Sequence, residues 1–253
     1  MKKLLWLTLI FPVILYAAGQ YKTPIPESQP LRIAITSFTA PFVMQSSYDQ
    51  FYGFDIAMME YVCTAIQRRC QYVPMSMDEI LPAINNRSVD LGVSSIVITP
   101  DRSRLVQFSL PYMISQGQFI GTAALAKQTV NSQVLNNKKI GVVRGSVYDD
   151  QIKLMGIKHL RVIPYQSGDQ MIAALKSGYI DLGFLDSHTA QYWQDNSSGS
   201  LHTLGKAFPV GFGLGIVANR ADIALIQAVD IALMRYQNSP NFKTNYNLYL
   251  NSF

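Results

Sequence analysis

The feature that most constrains this chain is a segment that occurs twice. Asp78-Glu-Ile-Leu-Pro-Ala-Ile-Asn-Asn-Arg-Ser-Val-Asp-Leu-Gly-Val93 aligns without a gap on Asp169-Gln-Met-Ile-Ala-Ala-Leu-Lys-Ser-Gly-Tyr-Ile-Asp-Leu-Gly-Phe184. Asp78 meets Asp169, Ala83 meets Ala174, and Asp90-Leu91-Gly92 meets Asp181-Leu182-Gly183. Each copy begins with apolar residues at helical spacing and ends in a short apolar run bounded by turn residues, the pattern of a helix feeding a buried strand. Upstream, the apolar run 33–35 has its counterpart in Lys139-Ile-Gly-Val-Val143. A strand–helix–strand plan used twice predicts two similar α/β lobes.

The first copy runs on into a stretch suited to an anion. Val89 to Val93 reads as a strand ending in a Ser94-Ser95 turn, and Thr99-Pro100 reads as the cap and first residue of a new helix. Arg102 then projects from the first helical turn, beside backbone N–H groups that have no helical partner and just past the carboxyl end of a strand. Hydroxyls, free amides and a guanidinium fork together suit a carboxylate. The repeat sets Ser95 of the first copy opposite Asp186 of the second, and both fall where open α/β sheets bind ligands. One lobe then offers hydroxyls and an arginine, the other a carboxylate. An α-amino acid carries the complementary pair of charges.

Two extended segments, near 108–120 and 208–215, are expected to cross between the lobes. Lobe one is expected to span 20–115 and 209–253, and lobe two 116–208. Lys2 and Lys3, the apolar run 4–16 and the small residues Ala17-Ala18-Gly19 read as a secretory leader cleaved after Gly19. The apolar run is short of the ~20 residues that a membrane-spanning helix needs, and no cysteine follows the cleavage site to carry a lipid anchor. Losing Lys2 and Lys3 takes the formal charge from +5 to +3. That mild, scattered charge excludes a nucleic-acid stripe. Cys63 and Cys70 are the chain's two cysteines. In an exported protein a short disulfide loop is the favoured reading over two buried thiols.

Gly53-Phe-Asp-Ile, the Cys63–Cys70 spacing, Ile98-Thr-Pro-Asp-Arg-Ser103, Phe108-Ser-Leu-Pro-Tyr112, Gly145-Ser146 and Gly213-Leu-Gly-Ile216 occur in this order. Together they resemble the periplasmic amino-acid-binding proteins of ABC transporters, the family 3 solute-binding proteins, above all the arginine and lysine/arginine/ornithine/histidine binders. The resemblance covers essentially all of the expected mature chain. It implies a bilobal periplasmic-binding-protein fold that closes over an L-amino acid, arginine-like ligands leading, and docks on an inner-membrane permease. It implies further that Arg102 clamps the α-carboxylate, helped by the Ser95 backbone and the Gly145-Ser146 helix start. Asp186 and the Ser94-Ser95 turn would take the α-ammonium. The side-chain pocket departs from the family pattern: Thr39 stands where relatives carry a tyrosine, Met77 where they usually carry a second aromatic, and Val97 where the cation binders often carry a polar residue. Phe38, one step away, and Tyr148 are the rings that remain.

An enzyme is not expected. His159, His188 and His202 show no metal-ligand spacing, and neither a Gly-x-Ser-x-Gly elbow nor a His-Glu-x-x-His helix is present. Some bilobal relatives dehydrate prephenate-like acids with the same arginine clamp, and they form the enzyme alternative. A receptor ectodomain, the third class, needs a following transmembrane helix, and none is read before Phe253. The expectation is a monomeric binding protein with no cofactor, metal or nucleic acid.

Overall fold

A computed structural model describes residues 29–127, 130–157 and 159–251. The expected leader and residues 20–28 lie outside the described residues. In chain order the elements begin with strands β1 (Leu31–Ile35), β2 (Met44–Gln45) and β3 (Phe51–Tyr52), helix α1 (Phe54–Ala65), strand β4 (Cys70–Pro74) and helix α2 (Met77–Asn85). Strand β5 (Leu91–Gly92), helix α3 (Pro100–Leu105) and strand β6 (Gln107–Phe108) follow. The middle of the chain carries β7 (Gln116–Thr122), α4 (Ala123–Ala126), α5 (Ser132–Leu135), β8 (Lys139–Val143), α6 (Tyr148–Leu154) and β9 (Arg161–Tyr165). It continues with α7 (Gly168–Lys176), β10 (Leu182–Asp186), α8 (Ser187–Asp195) and β11 (Leu201–Pro209). Strand β12 (Val217–Ala218) and helices α9 (Ile223–Gln237) and α10 (Pro240–Tyr249) complete the order.

Ten of the strands form two five-stranded sheets of the same design, β4-β1-β5-β12-β6 and β9-β8-β10-β7-β11, and β2 pairs with β3 in a separate two-stranded sheet. In each five-stranded sheet, the first three strands are parallel and the two remaining pairings are antiparallel. This is the two-lobed α/β architecture that the repeat predicts. Helices α2 and α7 occupy positions 91 residues apart at both ends.

The repeated Asp-Leu-Gly has a physical cause. Asp90 accepts the Arg32 amide at 2.9 Å and Asp181 accepts the Lys139 amide at 2.9 Å, so each acid pins the start of the neighbouring strand. The leucine is buried in each core. A Cβ on Gly92 would lie 2.7 Å from Ile80, and one on Gly183 would lie 2.9 Å from Ile120 and 3.2 Å from Met171. Any larger residue there would push the packed layers apart.

Three-four spacing predicts that α1 buries Phe54, Ala57, Met58, Tyr61, Val62 and Ala65. The helix instead buries Phe54, Asp55, Ile56, Met58, Met59, Val62 and Cys63. Its buried face is wider because α1 contacts β4 as well as α9 and α10. Helix α9 buries Ile226, Val229, Leu233 and Tyr236, as its periodicity predicts. Cys63 and Cys70 form a disulfide joining the end of α1 to the start of β4. The two crossings between the sheets run side by side, tied by Tyr112 N–H to Leu214 O (2.9 Å), Leu214 N–H to Met113 O (2.8 Å) and Val210 N–H to Ser115 O (3.0 Å). Among the described residues no helix is long and apolar enough to cross a membrane.

Candidate functional site: a charged cleft between the two sheets

The carboxyl ends of β5 and β10 face a common cleft. Arg102, Asp186, Ser95, Ser146, Val97, Met77, Phe38 and Thr39 all line it, as does Tyr148. Ser94 does not. Its side chain is fully buried and bonded to Thr36 Oγ1 at 2.5 Å, and Thr36 is bonded in turn to Thr39 at 2.6 Å. The hydroxyl is thus used to tie the β5 turn to the end of β1.

Arg102 is held from both lobes. Thr99 caps α3 by accepting the Arg102 amide at 3.3 Å, with Pro100 at the first helical position. The guanidinium donates from Nη1 to Val97 O (3.0 Å) and from Nη2 to Gly145 O (2.6 Å), a carbonyl of the opposite lobe. None of the ion pairs among the described residues includes Arg102. Burial pushes its pKa down to about 10, against smaller raising effects of Tyr148 and Asp150. A half-buried cation with only carbonyl partners favours an anionic ligand.

Asp186 ends β10 and caps α8, its Oδ1 accepting the His188 amide at 2.8 Å. Its Oδ2 is buried and has no partner in the protein. The same carboxylate therefore serves the fold with one oxygen and leaves the other for a donor in the cleft. Tyr148 stands between the charges: burial raises its hydroxyl pKa well above the ordinary value, Asp186 raises it further, and Arg102 lowers it.

Three residues at or behind the cleft were not legible as site residues. Asp55, in the first turn of α1, is fully buried and accepts the Ser95 amide at 2.8 Å. That bond corrects the expectation that the Ser95 N–H helps a ligand carboxylate, because the amide already serves Asp55. It also holds Ser95 in the left-handed region (φ 44°), uncommon for a residue with a Cβ. Burial raises the Asp55 carboxyl to about 7, the Ser95 N–H and Tyr112 oppose the rise, and Asp186 adds to it. In sequence Asp55 looks like an acid placed at a helix start for the dipole. Thr189 and Trp193 also line the cleft, three and seven residues beyond Asp186. Trp193 meets Phe38 of the other lobe with ring centroids 5.8 Å apart. Helical spacing from Asp186 was the signal that could have found both.

Against known proteins, the chain matches the model of the bacterial extracellular solute-binding proteins, family 3, over residues 31–252. It is 28% identical over 227 residues to the putative ABC transporter arginine-binding protein 2 of Escherichia coli, covering 87% of this chain and 90% of that protein. The histidine-binding periplasmic protein of the same organism is 26% identical over 230 residues, 85% of each chain. Among solved structures, an arginine 3rd transport system periplasmic binding protein from Legionella pneumophila superposes with a TM-score of 0.81 at 30% identity. It covers 88% of this chain and 100% of that one.

Proposed function

This chain belongs to the bacterial extracellular solute-binding proteins of family 3, and from that premise we propose that it captures an L-amino acid between its lobes and delivers it to an ABC importer of the inner membrane. The observation that carries the reading is the pairing of Arg102 with Asp186 across one cleft. A guanidinium with no carboxylate partner faces a carboxylate oxygen with no donor, and a zwitterion supplies both missing partners. Arg102 takes the α-carboxylate and Asp186 the α-ammonium, while Ser95 and Ser146 line the same cleft. Lobe one runs over 20–115 and 209–253, lobe two over 116–208, and the leader is removed near Gly19 on export to the periplasm.

A cationic, arginine-like side chain is favoured. Relatives matched over most of this chain are named for arginine or histidine binding, and Phe38 and Trp193 supply aromatic surface for a long side chain with a cationic end. The protein acts as a binding component with an ABC permease as partner, and no catalytic step is assigned to it. Calorimetric titration against the twenty common L-amino acids plus ornithine tests the proposal. Tight binding of arginine or a close analogue is expected, and heat-silent titrations confirmed by unchanged thermal stability for every ligand would overturn it.

A further inference from the structure

We propose that the cleft-facing side of α8 reads the ligand through two residues besides Asp186: the Thr189 hydroxyl hydrogen-bonds the α-ammonium, and the Trp193 indole lies along the ligand's side-chain stem. The inference rests on the amino-acid-binding reading above. Positions 186, 189 and 193 follow the three-four spacing of one helical face, and all three line the cleft.

Thr189 is only 5% exposed, yet its Oγ1 has no partner in the protein. A helical threonine ordinarily satisfies its hydroxyl on a carbonyl one turn back, and buried polar groups are rarely left unpaired. Asp186, 4% exposed, lines the same cleft and has an Oδ2 with no partner. An ammonium carries three N–H donors and so needs more acceptors than one carboxylate oxygen. Two buried, unpartnered oxygens one helical turn apart match that need.

Trp193 is positioned from both sides. Phe38 of the opposite lobe meets it at 5.8 Å, and the Lys176 ammonium stands 5.9 Å over its ring. With a cation of the protein already over the indole, the ring serves as a wall for methylenes more than as a second cation's sole partner. Outside the expected leader, which holds Trp6, Trp193 is the only tryptophan in the chain. Its emission therefore reports the cleft directly.

The test uses the protein from residue 20 onward, titrated with L-arginine by calorimetry and followed by tryptophan emission, beside Thr189→Val, Thr189→Ser and Trp193→Leu. Thr189→Val keeps the shape and removes the hydroxyl. It is expected to weaken arginine about ten-fold while the ligand-free melting temperature holds or rises, because an unpartnered hydroxyl has been replaced. Thr189→Ser restores most of the affinity. The Thr189→Val factor is common to every amino acid the wild type binds, whereas the Trp193→Leu factor is largest for the longest side chain. Arginine is expected to shift the wild-type emission. Unchanged affinity in Thr189→Val, or affinity and ligand-free stability falling together, overturns the role of Thr189; unchanged emission at saturation overturns that of Trp193. A wild type that binds no amino acid overturns the functional reading itself, so the two failures are told apart by the wild-type titration.

Discussion

Replacing Asp55 by Asn should change how the stability of the protein depends on pH, with a sign that the structure dictates. The carboxyl is fully buried, and its pKa stands at about 7 where the ordinary value is 3.8. Between those two pH values the folded chain holds a proton that the unfolded chain has released. Stability therefore falls as pH rises from about 4 to about 7, then levels off, and the full displacement corresponds to roughly 4 kcal/mol. Asn keeps the shape and an oxygen for the Ser95 N–H (2.8 Å) but cannot ionise. The preference of the Ser95 N–H for the charged acceptor is already contained in that pKa, so it is not deducted again. At pH 5, where wild-type Asp55 is largely protonated, the two proteins should differ by less than ~1 kcal/mol. At pH 8 the variant should be the more stable by about 1–3 kcal/mol. Urea unfolding at pH 5, 6, 7 and 8 gives the difference directly. A variant that is less stable than wild type at pH 8, or one that keeps the same fall between pH 5 and 7, would show that Asp55 is ionised in the folded protein throughout and that the argument is wrong.

Three further outcomes are expected. Arg102→Ala leaves the ligand carboxylate without its charged partner and should cost on the order of 2–5 kcal/mol of affinity; calorimetry returning the wild-type constant would remove Arg102 from the site. At Gly145, φ is +77° and a Cβ would lie 2.5 Å from Asp78 Cα across the cleft. Gly145→Ala should thus weaken arginine at least ten-fold by obstructing closure, while the ligand-free melting temperature drops only the few degrees that about 1 kcal/mol of backbone strain produces; equal losses in both would point to a folding defect instead. Reducing the Cys63–Cys70 bridge opens a loop with a sequence separation of 7, worth about 2.5 kcal/mol by chain entropy. A fall of about 5–10 °C with unchanged arginine affinity is expected, and no fall would mean that the reduced chain is just as constrained.

Much of the fold could be read because the chain states it twice. A helix, a left-handed turn and a strand starting with Asp-Leu-Gly recur at one offset, and the turn residues Arg87 and Gly178 both have positive φ (60° and 75°). The cap at Thr99-Pro100 was legible for a different reason, since it needs nothing beyond its own four residues. What stayed hidden depends on contacts distant in sequence. Ser94 and Ser95 look alike as letters, yet one hydroxyl turns inward to Thr36, 58 positions away, and the other residue faces the cleft. Asp55 meets Ser95 across 40 positions, and nothing local distinguishes it from a surface acid at a helix start. The width of the buried face of α1 was equally unreadable, because α9 and α10 arrive from the far end of the chain.

Under the proposed function, the geometry of Arg102 would make closure and capture one event. A guanidinium has five N–H donors, and two are engaged, by Val97 O in its own lobe and Gly145 O in the other. The remaining donors are enough for a carboxylate without breaking the bond that ties the lobes. With the lobes together, however, burial lowers the arginine's pKa to about 10 and raises that of Asp55 to about 7, while one Asp186 oxygen lacks a donor. At Arg102 and Asp186, which line the cleft, this is a cost that solvent relieves when the lobes part. A zwitterion removes the costs at Arg102 and Asp186, and it meets both residues at once only when they line the same cleft. On that reading the ligand is expected to bind the closed form better than the open one, which is the condition for shifting the population toward closure. A ligand carrying only the carboxylate would satisfy Arg102 and leave Asp186 unpartnered, so it should close the lobes less completely than the amino acid of the same length.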